Sequence, residues 1–159
     1  MKIEKKVKIT VSDAVLDDCK DLWIWRNNKS SREMFINSES VSWRKHKEWF
    51  AEYLNNKNLK IFIGKTFDGQ KIGMCRFYKD EKTNEIDVSI KLSENFKGNF
   101  FSKPFLRLSV EFYMKNNKKI LNATIKKDNI ASIKCFISCG FKFIKEDEKY
   151  NYYQFNART

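Results

Sequence analysis

A chain of 159 residues has room for one domain with a substantial core, and one domain over residues 1–159 is expected. Its 32 Lys and Arg against 20 Asp and Glu, a formal charge of +12, favour anionic partners of some kind. No run approaches the ~18 apolar residues of a membrane span, and the opening M-K-I-E-K-K-V-K lacks the apolar core of a secretory signal, so a cytoplasmic protein without a membrane partner is expected.

In chain order, Val7 to Thr10 reads as a first strand, after which Ser12 offers an N-cap for a helix through Val15, Leu16, Cys19, Leu22, Trp23 and Trp25. Beyond the polar break Asn27 to Arg32, Ser42 caps a second helix with Trp43, His46, Trp49, Phe50 and Tyr53. Lys60 to Lys65 and Lys71 to Tyr78 are strand-like and flank F-D-G-Q, where Asp68-Gly69 signals a hairpin because glycine tolerates positive φ. A polar turn, Asp80 to Asn84, leads to a strand over Glu85 to Leu92, giving three antiparallel neighbours. Phe101 to Lys115 is helical with Pro104 confined to its first turn, where the missing N–H costs nothing.

Ile120 to Lys126 alternates apolar and polar residues as a half-buried strand does. Asp128 or Asn129 caps the next helix, whose apolar face is Ile130, Ile133, Phe136 and Ile137, and Gly140 suits the left-handed residue that ends it. A strand follows Gly140, and Glu146 to Asn156, rich in tyrosine, forms the last one. Tyr150, Tyr152, Tyr153 and Phe155 belong either to the sheet core or to a homodimer contact.

Cys19, Cys75, Cys135 and Cys139 are scattered and His46 is the single histidine, so no metal site and no disulfide are expected. Lysines are spread along the chain among many asparagines, not gathered on one arm, so a phosphate-bearing small molecule is the expected partner and nucleic acid is not.

The spacing Asn129, Ser132, Phe136, Gly140, Phe141 resembles the C-terminal motif of the GNAT superfamily of N-acetyltransferases, N-x-x-A/S-x-x-x-Y/F-x-x-x-G-F. The element order β-α-α-β-β-β-α-β-α-β-β is similar to that family's across nearly the whole chain. The resemblance implies an α/β (α+β) fold, a single GNAT-like domain whose mixed, largely antiparallel central sheet is flanked by helices. It also implies acetyl transfer from acetyl-CoA, bound as co-substrate along Ile90, Lys91 and Leu92 of the fourth strand and beside Asn129, Ser132 and Phe136.

The family's pyrophosphate loop, Q/R-x-x-G-x-G/A, is matched by Lys97 to Ser102, K-G-N-F-F-S. There Lys97, Gly98, Asn99, Phe100, Phe101, Ser102 and Lys103 inherit cofactor contacts, although Phe100 falls where glycine normally permits close approach. The physics is general, because first-turn amides and the helix dipole favour an anion. By the same resemblance Asp87 is the general base, and backbone N–H groups around Ser89 to Lys91 polarise the acyl carbonyl. A solvated strand carboxylate is the plainer reading of Asp87. Phe136 stands where many relatives carry a proton-donating tyrosine, and a phenyl ring has no proton to give.

W-R-N at Trp25 to Asn27, with Met34-Phe35 and His46, is similar to the substrate half of N-acetyltransferases acting on UDP-linked 4-amino sugars in pseudaminic acid biosynthesis. That implies contacts to the nucleotide from Arg26, from Met34 or Phe35, and from His46, and a role in cell-surface polysaccharide biosynthesis. Acetylation of ribosomal-protein N-termini or lysines, acetylation of aminoglycosides, and a non-catalytic module of the same fold are the alternatives. A strongly basic chain suits a polycationic acceptor poorly.

Overall fold

Seven strands form one sheet in the order β1-β2-β3-β4-β5-β7-β6, seen in a computed structural model that describes residues 8–98, 100–116 and 119–156. The strands are β1 (Ile9–Asp13), β2 (Leu59–Thr66), β3 (Lys71–Lys79), β4 (Ile86–Leu92), β5 (Leu121–Lys126), β6 (Lys142–Glu146) and β7 (Tyr150–Phe155). Every neighbouring pair is antiparallel except β4 and β5, which run parallel. The helices are α1 (Cys19–Asn27), α2 (Lys29–Arg32), α3 (Trp43–Tyr53), α4 (Ser102–Met114) and α5 (Ile130–Ser138). This is the expected single α/β domain, with one short helix more than the sequence announces.

Each face of the sheet has its own core. Phe105, Leu106 and Val110 of α4 and Cys135 and Phe136 of α5 pack on one face over Phe62, Cys75, Phe77, Ile86 and Val88. Leu22 and Trp25 of α1 and Phe50 and Tyr53 of α3 cover Ile61, Ile63 and Met74 on the other. Strand alternation divides β3 and β4 the same way, so Met74, Arg76, Ser89 and Lys91 all rise on the α1 and α3 face.

The N-terminal boundary departs from the sequence reading. Ser12 is strand, opposite Ile63, and the β1–β2 ladder continues through Asp13 opposite Phe62 to a bond from the Ala14 N–H to the Ile61 carbonyl at 2.9 Å. That pairing holds Ser12 extended, so it caps nothing. The turn Leu16–Asp18 comes first, with the Asp18 carboxylate accepting the Val15 N–H at 2.8 Å, and Val15 and Leu16 stand exposed instead of lining a helix face. Val7, expected in the first strand, lies outside the described residues.

Elsewhere the local signals act as read. Ser42 accepts the Lys45 N–H at 3.2 Å and caps α3. Of the two candidate caps for α5 it is Asn129 that accepts, from the Ser132 N–H at 3.3 Å, and Gly140 ends that helix at φ 96°. Glu146, expected to open the last strand, closes β6, because Asp147 accepts the Lys149 and Tyr150 N–H groups and turns the chain into β7. β7 lies between β5 and β6, which places Tyr153 and Phe155 in the sheet core. No helix among the described residues is long and apolar enough to cross a membrane.

Candidate active site

β4 and β5 pair at two positions only, Ile86 with Leu121 and Asp87 with Asn122. Past Asp87 the strands part, each still held on its outer side, β4 by β3 and β5 by β7. From Val88 onward the β5-facing edge of β4 therefore lacks a strand partner. The gap opens into two adjoining cavities of about 420 and 460 Å³, which share Met34, Phe35, Ile90, Lys91, Asn129 and Ser132 as their common wall.

The first cavity runs between β4, the N-terminus of α4 and α5. Of the residues expected to hold a cofactor, Ile90, Lys91 and Leu92 form its β4 wall, Lys97, Gly98 and Ser102 the end beside α4, and Asn129 and Ser132 its α5 side. Gly98 has φ 75°, a backbone conformation that glycine adopts without penalty. Lys97 is tied back to Glu94 at 3.1 Å and to the Ser31 hydroxyl, which anchors the loop to α2. Phe136 lies at the floor of the second cavity, buried edge-on against Phe141 with ring centres 4.9 Å apart.

Three expected cofactor residues line neither cavity. Phe100, at φ 64°, turns its ring outward, 87% exposed, so it does not block the end beside α4. Phe101 packs edge-on against Phe96, and Lys103 is exposed, its carbonyl accepting the Cys139 thiol at 3.5 Å. Asn99 lies outside the described residues.

The second cavity takes Arg26 from the end of α1, and Met34 and Phe35 from the segment after α2. Asn27 fixes that segment at its far end, donating to the Val41 carbonyl at 2.8 Å and accepting the Val41 N–H at 2.7 Å, while the Trp23 indole donates to the same carbonyl at 2.7 Å. The Arg26 guanidinium lies 5.2 Å from the centre of the Phe35 ring. His46 is not brought to either cavity. It is 5% exposed, its Nε2 is bonded to the Cys19 carbonyl at 2.8 Å, and it ties α3 to α1 among Trp43, Trp49 and Phe50. Burial first, with Lys91 and Arg26 adding to it against the Cys19 bond, lowers its pKa and favours the neutral ring.

Ser89 lines the second cavity, with its hydroxyl buried and unpartnered. Asp87 sits at the last paired position before the gap, opposite Tyr78 and Asn122, and lines neither cavity. Its carboxyl is held above the ordinary range, first by desolvation, with Arg76 opposing and Asp80 and Glu85 assisting.

Sequence reasoning passed over Arg76, Ile36, Asn37 and Thr124, all of which line the second cavity. Arg76 carried a usable signal, a charge between Cys75 and Phe77 in an otherwise apolar strand. Among the described residues, no group of three or more His, Cys, Asp or Glu side chains is placed to hold a metal ion.

The family model of the acetyltransferase (GNAT) domain matches residues 8–142. A curated, uncharacterized protein of Methanocaldococcus jannaschii is 29% identical over 150 residues, which is 91% of this chain and 30% of that protein, so the chain spans under a third of that relative's length. Among solved structures, spermidine N-acetyltransferase from Vibrio cholerae in complex with CoA and spermine superposes with TM-score 0.81 at 10% identity over 92% of each chain. An aminoglycoside acetyltransferase in complex with coenzyme A gives 0.77 at 14% identity, over 95% of this chain and 96% of that one. The parted strands, the capped α5 beside them and the family match together make this chain a member of the GNAT acetyltransferase family.

The residues present fit acetyl-CoA as the co-substrate. The unpaired β4 edge faces the first cavity, and Gly98 and the first turn of the 13-residue α4 stand at its far end.

Proposed function

We propose that this chain acetylates the amine of a nucleotide-activated amino sugar of the UDP-4-amino-sugar type, by direct transfer in a ternary complex. The observation that carries the reading is Arg26 laid over Phe35 beside Met34 in the second cavity. A guanidinium next to an apolar ring and a thioether supplies what a phosphate joined to a planar base needs. The shared wall of the two cavities supports the reading, because an acceptor in one would lie beside an acyl group in the other, turning a bimolecular encounter into a local one.

When bound, acetyl-CoA supplies the acyl carbon as an activated thioester. Asp87 accepts the amine proton, directly or through water, and the open edge of β4 around Ser89 to Lys91 offers donors to the developing oxyanion. Phe136 is a packing residue, so the sulfur leaves as thiolate, which a thiol pKa near 8.5 allows at neutral pH. The implied role is in cell-surface polysaccharide biosynthesis, with the reaction run in the cytoplasm.

A panel of purified amines followed by thiol release tests the reading. Turnover is expected with UDP-4-amino sugars and not with spermidine or an aminoglycoside. Turnover with a ribosomal N-terminal peptide, and none with the sugars, would remove the sugar assignment.

A further inference from the structure

Three cations meet in the second cavity. Arg26 arrives from α1, Arg76 from β3 and Lys91 from β4, and all three line the same space. None takes part in any ion pair among the described residues. Arg26 Nη1 and the Ser89 hydroxyl are both buried there with no hydrogen-bond partner. Arg76 stands opposite Ser89 in the β3–β4 ladder, so the guanidinium and the hydroxyl rise side by side.

Such an arrangement is unfavourable by itself. Burial first, then Arg76 and Arg26, brings the Lys91 pKa down to about 7; burial and then the neighbouring arginines lower Arg26, and burial lowers Arg76. Asp87 is the one acidic group acting on Arg76. Buried charges and orphaned donors persist where a ligand offsets their cost, and the ligand that satisfies two guanidinium forks, an ammonium and a hydroxyl is a multiply charged oxyanion.

We infer that Arg76, Lys91 and Ser89 join Arg26 in a binding site for the phosphate of the acceptor, built into the wall of the second cavity. The inference rests on the second cavity being the acceptor's. It makes the pocket select amines that carry phosphate and repel polyamines and aminoglycosides, whose own charges would face three cations. It also couples binding to protonation. The charged and titratable groups acting on Lys91 are Arg26 from α1 and Arg76 from β3, with His46 of α3 also within its field; a bound phosphate outweighs the cations among them and returns a proton to Lys91.

The test is calorimetry on protein saturated with acetyl-CoA, titrated with inorganic pyrophosphate and then with UDP. Saturation closes the cofactor's own phosphate end to the probe. Binding is expected, with proton uptake at pH 8 revealed by buffers of unequal ionisation heat, and Arg76→Met is expected to weaken it by about tenfold or more. Acetyl-CoA affinity should not change, and Arg76→Lys should restore part of the loss. If Arg76→Met does not fold, Lys91→Met serves, and loss of proton uptake is its readout. Pyrophosphate that binds only when acetyl-CoA is absent overturns the site, as does binding indifferent to Arg76. Equal affinity for malonate overturns the phosphate assignment. Failure of acetyl-CoA to bind would instead count against the transferase reading, and Arg76-dependent pyrophosphate binding would still uphold the anion site.

Discussion

The Lys91 ammonium lies 4.3 Å from the centre of the Phe35 ring, so a central strand and the segment after α2 meet through a cation and an aromatic face. Arg26 approaches the same ring at 5.2 Å. Phe35 is thus approached by two cations and gives each an electron-rich surface where neither has an ion-pair partner among the described residues, a contact that contributes about 0.5–1 kcal/mol at exposed sites and more when desolvated.

Lys91 should give the unliganded protein a measurable pH dependence. Its folded pKa of about 7 lies below the ordinary 10.5, so between those values the unfolded chain binds more protons and stability rises with pH. The contribution is fully unfavourable below about pH 7 and vanishes above pH 10.5. Lys91→Met should therefore be more stable than the parent at pH 6 and flatten the rise, read by urea unfolding across pH 6 to 10. A parallel slope in both proteins would mean that Lys91 titrates normally.

Asp87→Asn should slow transfer by between about 10² and 10⁴-fold while leaving acetyl-CoA affinity nearly unchanged. The carboxyl sits at the edge of the gap and outside both cavities, so the amide keeps the geometry and loses only the proton acceptor. Thiol release followed against pH is the measurement. An unaltered rate and profile would assign the proton to another group or to solvent.

Asn129→Ala should lower stability by about 1 kcal/mol, the usual cost of a lost N-cap, and weaken acetyl-CoA binding as well, because the same side chain walls both cavities. Asn129→Ser restores the cap and so separates the two effects. A cap-restored variant that binds acetyl-CoA as the parent does would reduce Asn129 to a structural role.

Phe100→Gly should raise stability by up to about 1 kcal/mol, since φ 64° strains a bulky residue and suits glycine, with part of the gain offset by unfolded-state entropy. Phe100→Ala removes the exposed ring and keeps the strain, so it should show no gain. Acetyl-CoA affinity should hold in both, because the ring lies outside the cavity; a marked loss would place it in the site after all.

The parts legible in the sequence were those whose signals are local. The cap Asn129, the core residue Phe136 and the left-handed Gly140 specify α5 within twelve residues and hold in the structure, whereas Ile130 and Ile137 of the expected apolar face stand exposed and Cys135 is buried beside Phe136 instead. Ser12 misled because its cap propensity yields to a ladder with β2, a partner some fifty residues away. His46 misled for a related reason, as its neighbours in sequence are core tryptophans and its hydrogen bond goes to another helix. The cation cluster was invisible because it depends on cross-strand register: Arg76 opposite Ser89, and Met74 opposite Lys91, become one surface only when β3 and β4 are laid side by side.

Two residue pairs, Ile86 with Leu121 and Asp87 with Asn122, are all the ladder that joins a four-stranded half of this molecule to a three-stranded half. A slender molecule threaded into the gap would work as a spline between two boards, the open edge of β4 offering it the hydrogen bonds that the neighbouring strand would otherwise make. Saturation should then quiet amide exchange along β4 and β5 far more than at the sheet margins, and the chain should be at its stiffest when ready to react.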